Sequence, residues 1–247
     1  MRRFFVTPEA IKDDQLVIDG DLAHHISRVL RMAVGEEAEF AAGDGRLFVG
    51  RLAEMTKTEV LVELLSQKAA PADTKVQVTL YQGLPKGDKL ELIIQKCTEL
   101  GAAKIVPVMT KRSVVRLDAA KGAKKAERWQ KIAQEASQQC KRLSVPEVSA
   151  PLNWQQFIQA LSPEEMTLVL WEDETTQGLR DHLQTFEALP ARINLLVGPE
   201  GGLEAAEVEE LRQIGAQSIS LGARILRTET AGLAALAMVL YQSGDLG

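Results

Sequence analysis

Two stretches late in the sequence combine glycines, carboxylates and arginines at spacings that suit a bound small molecule. The first is Leu195-Leu196-Val197-Gly198-Pro199-Glu200-Gly201-Gly202-Leu203. An apolar run enters a glycine-rich turn, and an acidic, helix-forming stretch follows. Glycines let backbone amides approach a ligand closely, and a helix start adds unpaired N–H donors. No Gly-Lys-Ser/Thr follows, so this is not a P-loop, and it lacks the G-x-G-x-x-G spacing of a dinucleotide site. Taken alone, the stretch also reads as a tight turn without a ligand. The second is Ser220-Leu221-Gly222-Ala223-Arg224-Ile225-Leu226-Arg227-Thr228-Glu229-Thr230-Ala231. Thr228 or a neighbour can cap the helix that follows, and Glu229 in its first turn suits the helix dipole. Arg227 does not suit it. A local rule broken at a loop–helix junction points to function, although an arginine reaching solvent explains it equally.

Both stretches need strands and helices to hold them. From Lys75 onward the pattern alternates. Strands are expected over 76–81, 105–109, 167–171, 192–197 and 218–221, and helices over 86–100, 123–143, 204–214 and 228–241. This rhythm predicts a mostly parallel sheet covered by helices, with ligands outside the carboxyl ends of its strands. In the helix over 86–100, Leu90, Ile93, Ile94 and Cys97 face inward and Gly101 stops it. The small residues of 231–237 permit close helix packing, within the chain or against a second copy. The first 70 residues read instead as short strands over 3–6, 16–18, 37–41, 47–53 and 59–65, the pattern of a small barrel. One helix interrupts them, N-capped by Asp21, with Leu22, Ile26, Val29 and Leu30 on one face. Residues 66–74 lack an apolar pattern and read as a linker.

The chain has 247 residues, 45% hydrophobic and 26% charged, an ordinary globular mix. Two cysteines, Cys97 and Cys140, are too few for a disulfide framework and lack metal-ligand spacing. No apolar run reaches the roughly 20 residues of a membrane span, and a reducing, cytoplasmic compartment is expected. The net charge of -5 argues against nucleic acid until it is divided. Residues 84–146 carry 14 basic and 6 acidic side chains, net +8, whereas residues 147–247 carry 5 and 15, net -10. Such asymmetry marks an anion-binding face or a solvated lysine-rich helix.

Taken together, Gly198-Pro199-Glu200-Gly201-Gly202 and Leu221-Gly222-x-Arg224-Ile225-Leu226-Arg227-Thr228-Glu229-Thr230-Ala231 resemble the paired signature of the ribosomal RNA small-subunit methyltransferase E family. Its members belong to the SPOUT superfamily of knotted methyltransferases. The resemblance spans nearly the whole chain. Residues 24–31 resemble the family's N-terminal RNA-facing helix and residues 89–101 its first catalytic-domain helix. Residues 129–133 and 145–147 match as well, while 13–19 and 152–166 carry no specific match.

The resemblance implies an α/β fold in two domains. Residues 1–70 would form a PUA-like β-barrel that binds RNA, and residues 74–247 a SPOUT-type methyltransferase domain with a deep trefoil knot. It implies a homodimer and transfer of a methyl group from S-adenosyl-L-methionine to N3 of a specific uridine in small-subunit (16S) ribosomal RNA, with no metal. The implied cofactor residues are Leu170, Trp171 and Glu172; Gly198, Pro199, Glu200, Gly201 and Gly202; and Leu221, Gly222, Ile225, Leu226, Arg227, Thr230 and Ala231. Uridine N3 is a poor nucleophile until it loses its proton, so the reaction asks for a base or for a cation beside the developing oxyanion. Arg227, Glu229 and Glu200 are the catalytic candidates. Which carboxylate assists is open, since Glu229 can serve the helix dipole and Glu200 can hold its own loop. Arg2, Arg3, Arg28, Arg31, Lys86, Lys111 and Arg112 are the candidate RNA contacts. Three rival readings remain: a knotted methyltransferase acting on another base or a ribose 2′-hydroxyl, a non-catalytic RNA-binding assembly factor, and a phosphate-loop enzyme. The last lacks the required lysine.

Overall fold

The N-terminal strands bury one face in a shared core. The elements are β1 (Arg3–Phe5), β2 (Ile11–Lys12), β3 (Gln15–Asp19), α1 (Gly20–His24), β4 (Glu37–Ala41), β5 (Leu47–Met55) and β6 (Glu59–Lys68). Strands β1, β4 and β5 bury part of the other face as well. In β3, Leu16 and Ile18 point inward while Gln15, Val17 and Asp19 face solvent. The computed structural model describes every residue except 57 and 69–73. The first of its two compact units comprises Met1–Asp73 and Ser137–Val145. Its sheet runs β1-β4-β5-β6-β3-β2, antiparallel except for the β1–β4 pair. Phe40, Leu16, Ile26 and Leu52 lie at the centre of the core, all fully buried. A smaller cluster joins Phe5, Ala41 and Leu47 to Leu143.

Three expectations change here. The helix starts directly off β3, so Asp19 rather than Asp21 holds the N-cap position. It then widens into a π-type turn over His25–Val29. The extra residue in that turn moves Val29 off the apolar face, and it is 60% exposed. Of the expected linker, residues 66–68 end β6, and 69–73 lie outside the described residues.

The second unit, Thr74–Ala136 with Pro146–Gly247, is built on near-continuous apolar strands. Its elements are β7 (Gln77–Gly83), α2 (Lys89–Leu100), β8 (Lys104–Met109), α3 (Ala119–Cys140, of which the residues from Ser137 onward belong to the first unit), β9 (Glu147–Val148), β10 (Leu152–Asn153), α4 (Trp154–Ala160), β11 (Met166–Leu170), α5 (Leu179–Leu183), β12 (Arg192–Val197), α6 (Ala205–Gln213), β13 (Gln217–Ile219) and α7 (Thr228–Gln242). The sheet order is β10-β8-β7-β12-β11-β13, with β9 beside β8. Every pairing is parallel. Parallel strands are covered on both faces, which is why these read as unbroken apolar runs. In register, Val197 lies beside Gln82 and Leu170, and Leu170 beside Ile219. The carboxyl ends of β7, β12, β11 and β13 therefore form one rim.

Residues 86–88 stay outside α2, with Gly87 at φ 63, so the helix begins at Lys89. Its buried face carries Leu90, Ile93, Ile94 and Cys97, and Gly101 ends it at φ 114. The small-residue stretch of α7 packs within the chain, with Gly232 close to Leu80 and Val197. Among the described residues no helix is long and apolar enough to cross a membrane.

Helix α4 has too few apolar residues for a periodic signal. A capping box between Asn153 and Gln156 starts it, and Phe157 anchors it beneath the sheet. The Phe157 ring lies 4.9 Å from Tyr81 and 5.2 Å from Trp154. Phe157→Ala should destabilise the second unit by about 3–5 kcal/mol. Urea unfolding followed by fluorescence and far-UV dichroism would measure the loss, and a change under about 1 kcal/mol would contradict this packing role.

Candidate active site

The rim of β11, β12 and β13 and the start of α7 enclose a cavity of about 410 Å3. Three loops form its walls. Leu170, Trp171 and Glu172 come from the end of β11; Gly198, Pro199, Glu200 and Gly202 follow β12; Leu221, Gly222, Ile225, Leu226 and Arg227 follow β13. Ala231 lines it from α7. Gly201 and Thr230, expected in the same group, do not line it. Gly201 is turned toward Arg112, whose Nη1 donates to its carbonyl at 2.9 Å. Thr230 is committed to the first turn of α7, where its amide donates to the Arg227 carbonyl.

Val197, Ser220, Arg224 and Thr228, from the same two stretches but outside the implied cofactor set, also line the cavity, and Lys89 and Ile219 join them from outside both stretches. The sequence pattern does not single out Gln82, which holds the walls together. Gln82 is fully buried, and its Nε2 donates to Thr228 Oγ1 at 2.8 Å and to the Gly83 carbonyl at 3.1 Å. Thr228 Oγ1 in turn donates to the Gly198 carbonyl at 2.6 Å. Thr228 therefore does not cap α7 through its side chain. Arg227 holds the N-cap position and makes no side-chain cap bond. Beside this node, a Cβ on Gly83 would stand 2.5 Å from the Pro199 nitrogen, so only glycine admits the loop there.

Gly202 sits at φ 69, a left-handed conformation that glycine tolerates. A side chain there would also collide with the Glu172 carboxylate. The loop after β8 braces the same turn. Besides the Arg112 contact, the Lys111 amide donates to Glu207 Oε1 at 2.8 Å, and Glu207 closes a capping box with Glu204 at the start of α6. Lys111 Nζ lies 3.5 Å from Glu204.

The charged groups cluster at the α2–α7 side of the cavity. Glu200 accepts from the Lys86 amide at 3.1 Å, and Lys89 Nζ lies 3.0 Å from its Oε1. The same ammonium is 3.4 Å from Glu229 Oε2. Arg227 Nη1 is 4.0 Å from Glu229 Oε1, and its side chain is 85% exposed. Glu229 Oε2 is buried and accepts no hydrogen bond of good geometry. Burial pushes the Cys97 thiol up to about 12, so this cysteine is not a nucleophile at neutral pH.

Of the candidate RNA contacts, Arg2, Arg28 and Arg31 are exposed in the first unit, and Lys86, Lys111 and Arg112 in the second. Arg3 is half-buried and held by Glu39 at 2.9 Å and by the Lys141 carbonyl.

A buried carboxylate pins the wall that follows β11. Glu174 Oε1 accepts from Thr176 Oγ1 at 2.6 Å and from the Thr176 amide at 2.8 Å. Its Oε2 accepts from Ser218 Oγ and from Arg212 Nη2, the latter at 3.0 Å. The Ser218 hydroxyl foremost, with the hydroxyl and amide of Thr176, holds its carboxyl at about 2.

Known proteins are similar to this chain in sequence and fold. The family described as RNA methyltransferase domain matches residues 72–240, and that described as RNA methyltransferase PUA domain matches residues 18–65. Ribosomal RNA small subunit methyltransferase E of Bacillus subtilis is 40% identical, over 98% of this chain and 97% of its own length. The protein of that name from Synechocystis is 35% identical, over 96% of this chain and 76% of its own. A crystal structure of a ribosomal RNA small subunit methyltransferase E from Neisseria gonorrhoeae, bound to S-adenosyl methionine, superposes with a TM-score of 0.85 at 30% identity, covering 96% of each chain.

The Glu174 latch has a pH signature. Its folded pKa of about 2 lies below the ordinary 4.5, so its contribution is complete above the ordinary value and is lost as pH falls toward 2. Glu174→Gln should cost on the order of 2 kcal/mol at neutral pH. Urea unfolding should find that difference shrinking below about pH 4. An equal loss at neutral and acid pH would contradict the assignment.

Proposed function

The chain belongs to the ribosomal RNA small subunit methyltransferase E family, and on that premise we propose that it methylates N3 of a specific uridine in small-subunit (16S) ribosomal RNA, with S-adenosyl-L-methionine as methyl donor. The observation that carries this reading is Glu229, a carboxylate on the cavity wall with no well-formed hydrogen bond to its Oε2 and an exposed arginine, Arg227, beside it. A proton acceptor next to an anion-stabilising cation is what a protonated ring nitrogen requires.

The cavity suits the donor. Its volume falls within the range of small-molecule sites. Leu221, Ile225 and Leu226 offer apolar surface for an adenine ring, and Glu172, Glu200 and Glu229 suit a ligand bearing sulfonium and ammonium charges. Trp171 Nε1, buried without an acceptor, is a donor that a ligand would satisfy. Bound there, S-adenosyl-L-methionine would supply an activated methyl group. The glycine loop and the loop before α7 would hold it, so that positioning carries much of the rate.

Exposed Arg2, Arg28, Arg31, Lys86, Lys111 and Arg112 would neutralise phosphates, while Arg3 would contribute less because Glu39 engages it. The target base must be unpaired or flipped to enter. In this reading residues 1–70 bind RNA and residues 74–247 transfer the methyl group, in the cytoplasm and during ribosome assembly. Exposed Leu92 on α2 with Met238 and Tyr241 on α7 support a homodimer. The deep trefoil knot belongs to the same proposal. It is supported by β13 lying outside β11 although it follows β12 in the chain.

The test is nucleoside mass spectrometry of 16S RNA from a deletion strain. Wild-type protein should restore 3-methyluridine. Arg227→Ala should lower the rate on the order of 100-fold or more and leave the melting temperature unchanged, since the side chain is solvent-exposed. Restoration of a ribose methylation or of another methylated base would redirect the substrate. A folded protein that binds no S-adenosyl-L-methionine by calorimetry would favour an assembly factor.

A further inference from the structure

Lys89 opens α2 at the position where the helix dipole disfavours a cation, as Arg227 does at the start of α7. Both reach the same cavity. Lys89 is the cation that Glu200 and Glu229 share, at 3.0 Å and 3.4 Å. We propose that Lys89 is a positioning residue that divides the work of the two carboxylates: it fastens Glu200 to the start of α2 and holds the Glu229 carboxylate at the cavity wall as the group that takes the substrate proton. This rests on the uridine-N3 reading above.

The two carboxylates differ in what they already hold. Both oxygens of Glu200 face the Lys86 amide, at 3.1 Å and 3.4 Å, and Oε1 also meets Lys89. Burial raises the Glu200 carboxyl, but the Lys89 ammonium and the backbone amides outweigh it and hold it below the usual range. An acceptor so engaged is a strut for the 86–88 turn and a weak base. Glu229 has no amide of this kind on Oε2, which is buried. Lys89 from α2 and Arg227 from its own approach contact it, and the other charged residues lining the cavity are Glu200 and Glu172 from the loops after β12 and β11 and Arg224. Arg227 stands 4.0 Å away and is largely exposed, so its charge is screened by solvent. With Lys89 removed, burial and the Glu200 charge would both favour the protonated form of Glu229. In the step itself the N3 proton passes to the Glu229 carboxylate, and the electron pair of the broken N–H bond stays on the uracil, beside Arg227.

The first measurement needs no substrate. In ligand-free protein labelled with 13C at glutamate side chains, the Glu229 carboxyl resonance is assigned by its absence in Glu229→Gln. Its titration midpoint should rise by about one pH unit or more in Lys89→Met and return in Lys89→Arg. The second is the pH dependence of single-turnover methylation. The acid limb should move to higher pH by the same amount in Lys89→Met, return in Lys89→Arg, and be accompanied by less than about a threefold change in donor affinity, below the tenfold that 1.4 kcal/mol represents. An unmoved Glu229 midpoint, or a rate loss uniform across pH, would overturn the proposal. Lys89→Gln repeats the comparison should the methionine variant unfold. If the wild-type protein forms no 3-methyluridine, the functional reading fails, while the carboxyl titration still decides the Lys89–Glu229 coupling.

Discussion

The buried amide of Gln82 is the contact on which the cavity depends. It lies at the end of β7, in the middle of the parallel sheet, and its Nε2 bonds Thr228 at the start of α7. The Thr228 hydroxyl in turn donates a hydrogen bond to the Gly198 carbonyl. One side chain thus ties a strand end, a glycine turn and a helix start together out of water. A hydrogen bond in such surroundings is stronger than at the surface, and losing a partner there costs more. Gly83 lets the turn come close enough for the bond to form. The walls of the cavity are fixed relative to the sheet because this network leaves them little alternative.

Around that fixed frame the charges fall into two kinds. Glu174, Glu207 and Glu200 spend their oxygens on backbone amides and neighbouring side chains, and so hold loops in place. Glu229, Arg227 and Lys89 keep part of their capacity facing the cavity. The acidic balance of the C-terminal region therefore mixes scaffold and reactive groups, and only the hydrogen-bond partners separate them.

Much of this architecture could be read in the residues, for identifiable reasons. The parallel strands are long apolar runs, and the inward face of α2 follows a plain helical period from Leu90 to Cys97. The two glycine-containing loops were visible because glycines and a misplaced arginine interrupt regular patterns. Other features left no local trace. Helix α4 rests on a cap and a single buried phenylalanine. A π-type turn displaced Val29 without any sequence signal. Gln82 reads as an ordinary polar residue at a strand end, and its importance comes from partners 116 and 146 positions away. Lys89 is similar, since its partners lie on other elements. Arg112 and Lys111 read as free cations, yet both also brace the glycine loop and α6.

The same distances along the chain have a consequence for how the protein is made. Synthesis runs from the N-terminus, and early segments fold as they emerge. The Gln82 amide, however, cannot find its hydroxyl partner until residue 228 has been added, 146 positions later. Strand β7 must wait with a polar group bound for the interior, and contacts of such high order are slow to form. A chain cut short before α7 lacks both the Thr228 hydroxyl and the α7 wall, so its cavity cannot be completed.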